Sequence, residues 1–195
     1  SGAAFSRPVR WLLALFVAEA YADLEGLLAA GFDAVYDDAT YDRLKEVVLG
    51  LAGPDALDAQ LRALADDVRG RFVRYLENHD EPRVAAPLRR DHPHDSGFVG
   101  AEAGRQLAPL MWLSSNGPVI VHAGQEVGEP GAGATGFSGD DGRTSIFDYT
   151  WMPAMLGWVN EHRYDGGGLE PAAAALRAYH RDVLHLCQDD SVRAA

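Results

Sequence analysis

Short apolar runs alternate with stretches of helical periodicity along this chain. Leu12 to Ala18 is the first run, and a short amphipathic segment follows it and closes at Gly31. Phe32 to Tyr36 is the second, followed by helical patterns over Tyr41 to Ala52 and Ala56 to Arg69, broken at Gly53-Pro54. Arg71 to Leu76 is the third, followed by a polar loop and a helix predicted over Ala101 to Ser115. Pro118 to Ala123 is the fourth, then a long Gly-rich loop and a final helix over Pro171 to Leu186, with Pro171 at its start. Strands alternating with helices predict βαβ units and a parallel sheet. No repeat of short fixed period underlies the alternation.

Polar residues gather directly after each apolar run. Glu19 follows the first, Asp37 and Asp38 the second, Asn78 to Asp80 the third, and Gln125 and Glu126 the fourth. Chemistry collected at the C-terminal ends of parallel strands fits a (β/α) barrel or a doubly wound sheet.

The third run is the most informative. Phe72-Val73-Arg74-Tyr75-Leu76-Glu77 ends abruptly in Asn78-His79-Asp80, and Pro82 blocks continuation of the strand. Asn78, His79 and Asp80 offer donors, acceptors and a permanent negative charge, a set suited to a polyhydroxylated ligand on which positive charge develops. The same residues also suit a polar turn, with Asp80 capping a short helix opened by Pro82. Glu19 closes the first run among Phe16, Val17 and Ala18, where burial would raise a carboxyl pKa as a general acid requires. Two carboxyl groups in contrasting environments are the core of glycosidic cleavage. Tyr21, Tyr36 and Tyr41 are candidates to stack on sugar faces. The competing expectation pairs Glu19 with an arginine and buries the tyrosines.

Composition narrows the partner. A net charge of −12 argues against nucleic acid, which selects basic surfaces, and leaves no basic patch for anionic lipid. No apolar run is long enough to span a membrane, and Pro8 to Ala18 reads as a buried strand rather than a signal peptide. The single cysteine, Cys187, excludes an internal disulfide and falls on an apolar helical face, where packing is expected.

Together these segments resemble the second half of an α-amylase family catalytic domain, glycoside hydrolase family 13. Phe16-Val17-Ala18-Glu19-Ala20-Tyr21 resembles the segment carrying the family's general acid/base. Phe72 to Asp80 resembles the segment carrying its transition-state-stabilising aspartate and neighbouring histidine. Gly117 to Gly128 resembles the last barrel strand and its exit loop, and Gly142 to Tyr149 is similar to a segment of one bacterial branch. The resemblance implies an α/β fold, the C-terminal half (strands five to eight) of a TIM (β/α)8 barrel. Residues 1–195 would then be one partial catalytic domain, without the N-terminal half-barrel of the same polypeptide and the C-terminal β-sandwich. It also implies a retaining enzyme acting on α-glucosidic bonds of α-glucans or maltooligosaccharides, by hydrolysis or transfer, with neither cofactor nor metal in this chain. Glu19 would protonate the leaving oxygen and then activate the acceptor. Asp80 would stabilise the oxocarbenium-like transition state, His79 and Tyr21 would contact the sugar, and Asn78 would fix the loop.

One departure matters. The family's nucleophile lies in an Asp-Gly-x-Arg-x-Asp segment on an earlier strand, and no such segment occurs here. Retaining cleavage needs a nucleophile about 5 Å from the acid. The chain by itself is therefore expected to be inactive, the C-terminal portion of a larger enzyme. The alternative is a noncatalytic carbohydrate-binding or assembly remnant, and the third possibility is a small hydrolase using Glu19 and Asp80 alone.

Two further patterns carry less. Gly131 to Gly136 spells G-x-G-x-x-G, but it neither follows a strand directly nor opens a helix, so a loop at the barrel mouth is expected. Asp91-His92-Pro93-His94-Asp95 has metal-capable side chains at a spacing that matches no zinc pattern.

Overall fold

The structure is a computed structural model that describes residues 15–64, 66–98, 100–131, 142–146 and 151–193. The Gly131 to Gly136 pattern, apart from Gly131, lies outside the described residues, as do residues 147–149.

Three strands form a parallel sheet in the order β1 (Val17–Ala18), β2 (Ala34–Tyr36) and β3 (Phe72–Val73). Val17 pairs with Ala34 and Ala18 with Val35, while Val35 pairs with Phe72 and Tyr36 with Val73. All three chains therefore run the same way, and their polar ends emerge on one rim. The helix α1 (Leu24–Ala30) joins β1 to β2 and stops at Gly31, whose φ of 110° is open to glycine. Crossing from β2 to β3 are α2 (Asp38–Leu49), α3 (Pro54–Ala63) and α4 (Asp66–Arg69). Parallel neighbours require such crossovers.

The strands are shorter than the apolar runs that predict them. Within the first run only Val17 and Ala18 pair, and residues 12–14 lie outside the described residues. In the fourth run only Val119 bridges, to Arg74; Arg74 N–H donates to Pro118 O at 2.9 Å and Ile120 N–H to Arg74 O at 2.8 Å. Gly117 opens this segment because a Cβ there would meet the Phe72 carbonyl oxygen at 2.5 Å. The helical pattern over Tyr41 to Ala52 starts earlier than expected, because Asp37 caps α2 by accepting from Thr40 N–H at 3.2 Å. The break at Gly53-Pro54 is real, and Pro54 begins α3 where its missing N–H costs nothing. Residues 56–69 divide into α3 and α4 rather than forming one helix. No helix follows Pro82, so Asp80 is not a helix cap.

Downstream, α5 (Ala103–Leu113) packs against α7 (Pro171–Cys187), and α8 (Asp190–Arg193) follows. A helix the sequence pattern missed, α6 (Pro153–Val159), interrupts the long Gly-rich stretch.

Two apolar clusters hold this arrangement. Ala18, Leu28, Val35 and Phe72 fasten α1 to the sheet. The larger cluster includes Tyr41, Leu44, Tyr75, Phe98, Met111, Trp112 and Val183 and joins α2, α5 and α7 to the far side of β3. Each fully buried Leu or Phe contributes about 1.5–3 kcal/mol relative to exposure. Cys187 is half-buried and lines a pocket of about 290 Å³ with Trp112 and Leu184. Among the described residues, no helix is long and apolar enough to cross a membrane.

The sheet is open. Among the described residues no strand covers the outer edge of β1, and Leu15, Phe16 and Val17 are 64%, 62% and 39% exposed there. Unpaired backbone beside apolar side chains is a template for another chain. Concentration-dependent self-association is the expected behaviour, and Phe16→Lys should weaken it. Light scattering that finds a sharply melting monomer at every concentration rules this out.

Candidate active site at the rim of the sheet

The end of β1 and the loop after β3 bring four side chains together. Glu19 leaves β1 immediately after Ala18, while His79 and Asp80 arrive on the loop beyond β3. His79 Nε2 lies 3.0 Å from Glu19 Oε1 and 3.5 Å from Asp80 Oδ2, so both carboxylates face the same edge of the imidazole. Tyr21 donates its hydroxyl to Asp80 Oδ2 at 3.4 Å. Burial first, then the charges of Asp80 and Glu19, raise the Tyr21 pKa, so the phenol keeps its proton and remains a donor. Tyr36 is raised by burial and by the same two carboxylates.

The loop is braced from within. Asn78 is buried, and its Oδ1 accepts from Asp80 N–H at 2.8 Å and Glu81 N–H at 2.9 Å. Such an Asx turn fixes the backbone carrying the Asp80 carboxylate. Glu81 receives Lys45 Nζ at 3.2 Å, tying the same loop to α2.

Several expectations need correcting. Glu19 is not buried: its side chain is 39% exposed, because β1 is the open edge and Phe16 and Val17 turn outward with it. Tyr41 cannot stack on a ligand, since it is fully buried between Tyr75 and Phe98. Tyr36 rests on the Tyr75 ring at 5.4 Å, leaving Tyr21, half-exposed, as the open aromatic face.

The strand-end carboxylates also divide by task. Asp37 faces Arg74 Nε at 2.9 Å, with both side chains buried. Asp38 accepts from Tyr75 Oη at 2.9 Å. Glu126 accepts from Gly124 N–H at 3.0 Å and stays with the turn after the fourth run, where Gln125 is buried. Asp91 and His92 are exposed, 3.5 Å apart.

The donor set can also be read as ligands. One atom each from Glu19, His79 and Asp80 lies within 4.8 Å of the others, close enough for the three to hold a metal ion.

Sequence patterning missed a buried ion pair beneath the loop. Arg83 Nη1 donates to Glu77 Oε1 at 2.7 Å, and Val84 N–H donates to Glu77 Oε2 at 2.6 Å. His122 Nδ1 stands 3.8 Å from the same Oε1. The available signal was the spacing, since Glu77 precedes His79 by one strand period and Arg83 follows Pro82.

Burial pushes the Glu77 carboxyl up to about 7, against the pull of Arg83 and Val84 N–H. Burial, with Arg83 and His79 adding to it, takes His122 down to about 4. Folded Glu77 therefore keeps a proton that the unfolded chain releases near 4.5, and this group lowers stability as pH rises from 4.5 to about 7. His122 acts oppositely, because the unfolded chain binds its proton near 6.5 and stability falls as pH drops from there to about 4. The two slopes oppose each other in the overlapping window. Glu77→Gln should leave stability rising with pH up to about 6.5. His122→Asn should leave it falling up to about 7. Urea denaturation at stepped pH reads both, and identical profiles for the two variants contradict the assignment.

The chain matches no protein-family model and no curated protein.

Proposed function

We propose that this chain contributes the acid/base and the transition-state-stabilising carboxylate of an α-amylase-like enzyme acting on α-glucosidic bonds by retention. The observation that carries the reading is the convergence of Glu19 and Asp80 on one imidazole, His79, from the ends of two different parallel strands. Glu19, with its side chain 39% exposed, is within reach of a ligand at the rim. Asp80 is held by a braced loop and a phenol donor, so it offers a fixed negative charge to a developing oxocarbenium ion. Tyr21 supplies an aromatic face beside both.

On this reading the nucleophile comes from a preceding half-barrel of the same polypeptide, pairing with the open edges of the sheet. None of the described residues takes that role: Asp37 is engaged by Arg74, and Asp38 by Tyr75.

A second reading follows from that same absence among the described residues, namely a sugar-binding module without turnover. One experiment separates them. The codons upstream of Ser1 are read for an in-frame Asp-Gly-x-Arg-x-Asp segment, and the encoded polypeptide is assayed on maltooligosaccharides. Turnover that is lost in Asp80→Asn supports the enzyme. Sugar binding without turnover supports the module, and neither binding nor turnover ends both readings.

A further inference from the structure

Beneath the His79–Asp80 loop, the chain is closed on itself by charge. Glu77 and Arg83 stand at the two ends of the segment that carries Asn78, His79, Asp80 and Glu81, and both side chains are 1% exposed. One carboxylate oxygen of Glu77 takes Arg83 Nη1, and the other takes Val84 N–H, so the base of the loop is clamped twice. Arg83 does more than close the loop. Its Nη1 also donates to Ala123 O at 2.8 Å, at the exit of the fourth run, and its Nε donates to Thr144 Oγ1 at 2.7 Å. Its Nη2 reaches Met152 Sδ at 3.5 Å, just before α6, and its backbone N–H donates to Gly142 O at 2.8 Å. A single guanidinium therefore joins the loop, the exit of the fourth run, Thr144 and Met152.

We propose that Glu77 and Arg83 are a positioning pair, which sets the His79–Asp80 loop against Glu19 and couples its placement to Gly142, Thr144 and Met152. The proposal rests on the reading of Glu19, His79 and Asp80 as a sugar site. Neither residue of the pair meets solvent, so neither touches substrate; they act through the loop. The planar guanidinium fork suits this task, because it satisfies several fixed acceptors at once, which the ammonium of a lysine cannot match.

The test is made on the full chain with Glu77→Gln, Arg83→Lys and Arg83→Met. Amide exchange is measured at Asp80 and Glu81, whose N–H groups bond Asn78 Oδ1, and at Val35 and Tyr36 as core references. Binding of 1-deoxynojirimycin, a sugar analogue that is cationic below neutral pH, is measured by calorimetry at one fixed, mildly acidic pH. The expected result is a loss of about tenfold or more in protection at Asp80 and Glu81, with Val35 and Tyr36 little changed. Sugar-analogue affinity should fall in parallel, with Arg83→Lys recovering part of it. Glu77→Gln keeps the shape of the clamp and serves if Arg83→Met does not fold.

Unchanged protection at Asp80 and Glu81 overturns the pair as a positioning device, as does lost protection with unchanged affinity. A wild-type polypeptide that includes the upstream segment yet binds no analogue, with Asp80→Asn indistinguishable from it, overturns the sugar-site reading instead.

Discussion

On the proposed α-amylase-like function, Glu19→Gln is expected to lower turnover of α-glucosidic substrates by about a thousandfold, within the range that a positioned general acid–base supplies. The amide cannot protonate the leaving oxygen or activate the acceptor, yet it preserves the shape of the side chain and can still meet His79. Folding should hardly notice, because the Glu19–His79 pair is more than a third exposed and such pairs are worth about 0–1 kcal/mol. The loss should fall on kcat far more than on KM, as for an interaction made in the transition state. Leaving groups supply a second signature. From an α-glucosyl fluoride, fluoride ion leaves C1 without needing a proton, so the first step should lose much less on this substrate than on maltooligosaccharides. Measurement is by initial rates in the polypeptide that also contains the nucleophile, with a thermal melt alongside. Near wild-type turnover of maltooligosaccharides sinks the assignment of Glu19.

The second large effect is on stability. Asp37→Ala should destabilise the fold by about 3–5 kcal/mol, the cost of leaving a buried charge without its partner. Arg74 is fully buried 2.9 Å from Asp37, and its two Nη atoms have no hydrogen-bond partner among the described residues. Burial lowers the Arg74 pKa, and Asp37 is the charge that opposes the shift. The substitution also removes the α2 cap at Thr40 N–H, worth about 1 kcal/mol. Against a total of about 5–15 kcal/mol for a typical domain, that is a large share. Replacing both partners, Asp37→Leu with Arg74→Met, should recover most of the loss, since an apolar pair carries no desolvation penalty. Urea denaturation of the three variants tests this. An Asp37→Ala midpoint equal to wild type means the pair is not what holds β2 to β3 here.

These two carboxylates look alike in the sequence. Each follows an apolar run, and the pattern offers no ground for making one catalytic and the other structural. Their surroundings separate them. Asp37 is pinned against Arg74 and closed off under α2, whereas Glu19 leaves an edge strand with nothing over it among the described residues. The expectation of a buried Glu19 came from its apolar neighbours Phe16 and Val17, and it failed because an edge strand exposes them. Asn78 illustrates the opposite case. An Asn two residues before an Asp is a turn signal that needs no tertiary context, and the Asx turn forms locally. The Glu77–Arg83 pair went unread because its meaning depends on Ala123, Thr144 and Met152, all remote in sequence.

By itself, the sequence determined the alternation of strands and helices, the shared polar rim, and the helix boundaries at Gly31, Pro54 and Pro171. Those follow from periodicity and from the backbone limits of glycine and proline, which act within a few residues. It also singled out Glu19, His79 and Asp80 as chemistry-bearing groups. Only the tertiary structure decided that Glu19 and Asp80 both face the His79 imidazole, that Asp37 is structural and that Tyr41 is core. Those outcomes depend on which strands pair and in what register, and so on contacts between residues far apart along the chain. Burial and charge pairing are properties of that assembled space, which no local pattern contains.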